Sequence, residues 1–114
     1  MNLGSYHRAT GLTATLSDSQ TGTVLFTVDT SQSRSFAFDY NINRGVGIRS
    51  GKFTVVASTD GNGTDLVYTD SGSENSDIGV YFTAVESLGT ISVLYTTTAI
   101  ALDAQIYYSV TNIA

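Results

Sequence analysis

The stretch from Gly79 to Ala114, GVYFTAVESLGTISVLYTTTAIALDAQIYYSVTNIA, decides the fold. Apolar and polar residues alternate along it with a period of two, the pattern of a strand. Ile91, Val93 and Tyr95 fall on one side of one strand, and Ala104, Ile106, Tyr108 and Val110 on one side of another. Opposite and between them stand Tyr81, Val85, Leu94 and Tyr107, too many apolar groups for a face left to water. From Ile78 to Glu86 the split is plain: Ile78, Val80, Phe82 and Ala84 share one side, and Tyr81 and Val85 the other. One such face fills a sandwich, and the other needs a covering partner. The pattern predicts a β-sandwich that packs against copies of itself, with Tyr81, Val85, Leu94 and Tyr107 at the oligomer interface.

Upstream of this stretch the chain has no proline and no sustained helical period; Gly, Asn, Asp and Ser clusters punctuate strand-like runs. Strands are expected at Leu12–Leu16, Thr23–Val28, Arg34–Tyr40, Val46–Ile48, Lys52–Ser58 and Asp65–Thr69. Three more follow at Ile78–Glu86, Thr90–Thr97 and Ala104–Asn112. This spacing fits an all-β chain, an antiparallel β-sandwich or jelly roll of about eight strands. Residues 1–11 read as an N-terminal arm and residues 12–114 as the sandwich domain. Ser17–Gly22 and Asp60–Thr64 read as turns, since Asn and Gly tolerate positive φ. The polar run Asp70–Asp77 reads as an exposed loop.

Composition narrows the function. The 114 residues make one domain, large enough to bury about 65% of its unfolded surface without staples. There is no cysteine, which excludes disulfides and thiolate metal sites. No apolar run is long enough for a membrane helix, and MNLGSYHRAT lacks the apolar stretch of a signal peptide. The expected product is soluble and made in a cytosol, with no membrane insertion. Ten acidic against five basic residues leave a net charge of −5. Backbone-directed nucleic-acid binding needs clustered cations, and only Arg44, Arg49 and Lys52 are close in sequence. No nucleic-acid partner is expected. Charged residues make up only 13% of the chain, well below the usual quarter or so, as suits a surface that meets protein or sugar.

Little in the chain is equipped for chemistry. His7 is the one histidine and lies in the expected arm, a poor place for a catalytic triad. Carboxylate-pair hydrolysis requires two acids converging in a cleft; Asp29, Asp39 and Glu86 are the acids nearest strand cores or ends. Asp60-Gly-Asn62-Gly-Thr64-Asp65 has oxygen donors at alternate positions but lacks the downstream Glu of a calcium loop, and reads as a hairpin turn. Phe36, Phe38 and Tyr40 alternate on one face and read as core, and the glycines of Arg44–Gly51 as bulges or a close backbone approach. The expectation is no catalysis, no metal and no cofactor.

The order of the segments carries a resemblance. FDYNINRG at 38–45 leads to RSGKFTVV at 49–56, a run rich in Asp, Ser and Gly follows, and GVYFTAVE, ISVLYTTT and IYYSVTNIA close the series. From Phe36 to Ala114 this resembles the C-terminal β domains of tailed-phage fibres and related virion appendages. The resemblance implies a homotrimeric sandwich displayed on the virion, assembled in the host cytoplasm, with no catalytic residues to carry over. A fibre tip normally follows a long shaft, whereas this chain starts with a short arm. That fits a capsid decoration (cement) protein whose arm grips the major capsid or another virion protein. Leu3 and Tyr6 are then the expected anchors, with Arg8 pairing to a neighbour's acid. In a receptor-binding fibre tip the candidate binding loops carry Asp60, Asn62, Asp65, Asp70, Glu74 and Asp77, with a host surface glycan as a possible ligand. The alternative reading is a carbohydrate-binding module whose exposed aromatics stack on sugar.

Overall fold

A computed structural model describes residues 6–30, 34–57 and 66–113, with side chains described for 10–30, 34–57 and 66–111. The described chain forms eight strands: β1 (Tyr6–Leu16), β2 (Thr23–Asp29), β3 (Ser35–Arg44), β4 (Gly47–Val56), β5 (Val67–Glu74), β6 (Val80–Ser87), β7 (Thr90–Thr97) and β8 (Ala104–Ile113). They pair antiparallel in two sheets, one ordered β1-β8-β3-β4-β5 and the other β2-β7-β6. The fold is a β-sandwich.

The alternation read from the sequence sets which face is buried. Phe36, Phe38, Tyr40 and Ile42 of β3 point inward, as do Ile106 of β8, Phe53 and Val55 of β4, and Leu16 of β1. From the smaller sheet come Val80, Phe82 and Ala84 of β6, and Ile91, Val93 and Tyr95 of β7. Two rings of the smaller sheet knit the layers together. Phe26 stands edge-on to Phe38 at 5.4 Å and stacks on Tyr108 at 5.7 Å. Phe82 meets Phe38 at 5.4 Å, Tyr40 at 5.3 Å and Phe53 at 5.8 Å. Each such pair adds about 0.5–1.5 kcal/mol beyond the area it buries.

Three expectations need correction. β1 begins at Tyr6 and pairs with β8 from Tyr6↔Ile113 onward. Residues 6–11, read as arm, are therefore sheet; short polar residues and Gly11 hid the continuation. The two strands expected at Val46–Ile48 and Lys52–Ser58 are replaced by a single one, β4 (Gly47–Val56), since Ser50 and Gly51 carry the ladder across their gap. The expected loop Asp70–Asp77 is strand as far as Glu74: Asp70 pairs with Phe53 and Glu74 with Arg49. β5 is an edge strand wet on nearly all its residues, so it has almost no apolar alternation by which to declare itself. Polar edges of this kind also resist edge-to-edge pairing.

Candidate interaction surfaces

β6 presents Tyr81, Thr83 and Val85 to the outside because Val80, Phe82 and Ala84 face in. The register with β7 sets Leu94 opposite Thr83, and the register with β2 sets Val24 opposite Leu94. On a pleated sheet the diagonal neighbours of Leu94 are then Tyr81 and Val85, within side-chain reach. Tyr81 is 51% exposed, Val85 49% and Val24 53%. The outer face of β2-β7-β6 thus carries one apolar patch across all three strands. Of the four residues expected at the interface, Tyr81, Val85 and Leu94 share this patch. Tyr107 does not: it lies on the outer face of the five-stranded sheet, because Ile106 and Tyr108 on either side of it turn inward. One flat interface on the β2-β7-β6 face therefore omits Tyr107. Val24 was missed, since its strand alternates weakly around a bulge between Val24 and Phe26.

A second surface runs along β4 and β5. Tyr40 donates its hydroxyl to Asp70 Oδ1 at 2.5 Å and accepts from Arg49 Nε at 2.9 Å. Arg49 also faces Asp70 Oδ2 and Glu74 Oε1, each at 3.3 Å. Burial, and then the hydrogen bond to Asp70, push the Tyr40 phenol above its ordinary value. The network needs glycine beside it: a Cβ on Gly72 would stand 2.6 Å from the Tyr40 hydroxyl. Asp70 and Glu74, expected as loop ligands, are thus tied to Arg49 within the sheet. Asp77 is in an exposed turn, where its Oδ1 accepts from the Gly79 N–H at 2.9 Å. Asp60, Asn62, Asp65 and Leu3 lie outside the described residues. The backbones of Tyr6 and Arg8 lie in β1, while their side chains are outside what is described.

At the end of the sandwich near Asp77, Arg44 is wholly buried and every N–H has an acceptor. Its Nε donates to Leu102 O at 2.9 Å, Nη1 to Ile78 O at 2.8 Å and Gly79 O at 3.2 Å, and Nη2 to Thr98 O at 2.6 Å and Asp18 Oδ1 at 2.8 Å. Asp18 also accepts from Ser19 Oγ and from the backbone N–H groups of Ile100 and Leu102. The Ser19 bond, then the Ile100 N–H, hold its carboxyl well below the usual carboxylate range. One guanidinium therefore fastens the β1–β2 turn, the approach to β6 and the β7–β8 connection. The signal for it was present: Arg44 continues the inward phase of Phe36, Phe38, Tyr40 and Ile42.

The three acids considered for hydrolysis fall on different surfaces. Asp29 faces outward at the end of β2 and Asp39 faces outward on the five-stranded sheet, while Glu86 is buried on the inner face of β6. Among the described residues no three His, Asp or Glu side chains come together.

No protein-family model matches the chain, and no curated protein matches it. Among solved structures, the tailspike protein gp49 of Acinetobacter baumannii bacteriophage Fri1, a capsular polysaccharide depolymerase, matches with a TM-score of 0.53 at 13% identity. The match covers 98% of this chain and 20% of that one, so the chain spans about a fifth of the tailspike's length. At this identity the likeness is one of fold.

Proposed function

We propose that the chain is a non-enzymatic structural domain of a tailed-phage virion, a trimeric β-sandwich displayed on the particle surface within a tail spike or fibre. The observation that carries the reading is the apolar outer face of β2-β7-β6. A three-stranded sheet with Phe82, Val93 and Ile91 inside and Val24, Leu94, Tyr81 and Val85 outside is built to be covered twice, once by its own partner sheet and once by a neighbouring subunit. The fold likeness to part of a tailspike, running along nearly the whole chain, supports placing the domain on a phage appendage. The dispersal of Asp29, Asp39 and Glu86 over separate surfaces supports a role without hydrolysis.

Antibodies raised against the purified domain test the placement by gold labelling of purified phage particles whose genome carries the chain. Labelling of the tail tip or fibres is the expected result. Labelling over the capsid would move the role to decoration, and absence of label from intact and detergent-opened particles would contradict a virion role.

A further inference from the structure

The outer face of the five-stranded sheet carries a cavity of about 350 Å³ where β1, β8 and β3 run side by side. Its origin is a bulge. β1 and β8 are in register at Ala9↔Val110 and again at Leu12↔Tyr108, so Thr10 and Gly11 together stand opposite Ser109. Gly11 takes a φ of +70°, and a Cβ added there would meet nothing within 4 Å, so the bulge borders open space. Tyr107, half-exposed, flanks the hollow, and Thr13, Ser109, Asp39 and Asn41 are among the other residues that line it. The register explains the grouping: Tyr107 pairs with Thr13 on one side and Asn41 on the other, and Ser109 pairs with Asp39.

We propose that this cavity is a binding subsite for a neutral hexopyranose. It lies at the small end of ligand clefts, which run from about 300 to 1,000 Å³ and combine an aromatic or apolar floor with a few placed polar groups. A tyrosine ring offers an apolar face to the C–H side of a sugar while its hydroxyl stays wet. The rim supplies what the hydroxyl side needs. The Asp39 carboxylate accepts from neighbouring hydroxyls, the Asn41 amide both donates and accepts, and the hydroxyls of Ser109 and Thr13 do the same. Asp39 disfavours an anion seated against it: a uronate or phosphate would meet its carboxylate, with Lys52 across the ladder on the side away from β8. Because these groups sit on paired strands, ordering a ligand does not first require ordering a loop. The inference rests on the cavity's own residues and holds whether or not the chain is a trimer.

Titration of ¹⁵N-labelled protein with three neutral oligosaccharides, built of glucose, mannose and galactose, tests it by amide shifts. At least one sugar should give saturable shifts confined to residues 11–13, 39–41 and 107–109, and a glucuronate oligomer of equal length should bind more weakly. Tyr107→Ala should weaken the best sugar about tenfold, equivalent to about 1.4 kcal/mol, while Tyr107→Phe retains binding and Tyr81→Ala leaves it unchanged. A dispersed spectrum for each variant separates lost binding from lost fold. Absence of saturable shifts with all three sugars, shifts at other residues, or indifference to Tyr107→Ala would overturn the assignment.

Discussion

Arg44 and Glu86 both point into the sandwich, from opposite ends of it, and their situations differ completely. Arg44 has no exposed side-chain surface, and each of its N–H groups reaches an acceptor. Glu86 is 8% exposed, and among the described residues neither carboxylate oxygen has a hydrogen-bond partner. Close to Glu86, Leu88 occupies the β6–β7 turn at a φ of 52° while 98% exposed. A buried charge is tolerable when paired and costly when alone. Arg44 is thus a fastened clasp that fixes three connections, whereas Glu86 is buried with no hydrogen-bond partner among the described residues.

Removing the clasp should give the largest effect. Arg44→Ala strands Asp18 and four backbone carbonyls at once, and should lower stability by about 3–5 kcal/mol, read from urea unfolding. A loss comparable to that of an exposed arginine would mean that the clasp is not formed.

Acid should reach the same end next, with a smaller effect because Asp18 is one acceptor among several. Its folded carboxyl lies below the ordinary value of 3.8. Its contribution is therefore complete above that value and is lost as pH falls through the lower folded one. Asp18→Asn should be less stable at neutral pH and should show a shallower decline on the acid side. Parallel stability profiles for the two proteins would refute the coupling.

At the opposite end the sign reverses. Glu86→Leu removes a buried carboxyl group that has no hydrogen-bond partner among the described residues and should raise stability by about 1–3 kcal/mol. A loss of similar size would show that the carboxylate has a partner after all. The smallest change is at the turn, where Leu88→Asn should gain about 1 kcal/mol because asparagine accepts the left-handed conformation that costs leucine. An unchanged midpoint in thermal unfolding would mean the turn is not strained.

The contrast also marks where the sequence is legible. Strands with a buried face announce themselves: β6, β7 and β8 were readable from Ile78 to Asn112 because every second residue is apolar, and Tyr81, Val85 and Leu94 were readable as a second apolar face. The failures share one cause, which is the absence of that alternation. β5 is polar on both faces, and β1 passes through a glycine bulge, so their residues read as loop and arm. Tyr107 has an apolar ring but belongs to the other sheet, and no period of two tells which of two sheets a strand will join. Arg44 was in phase and still went unread as core, because a charge on the inner face is only reasonable once its carbonyl partners from distant turns are known.

Sedimentation equilibrium at micromolar concentration shows whether the outer face of β2-β7-β6 is covered by another copy, as proposed. The expected result is a species of about three times the 12.1 kDa chain mass, and a folded species of single-chain mass for the Tyr81→Lys, Val85→Lys double variant. A wild-type protein that sediments as a single chain with Tyr81 and Val85 open to solvent would contradict it.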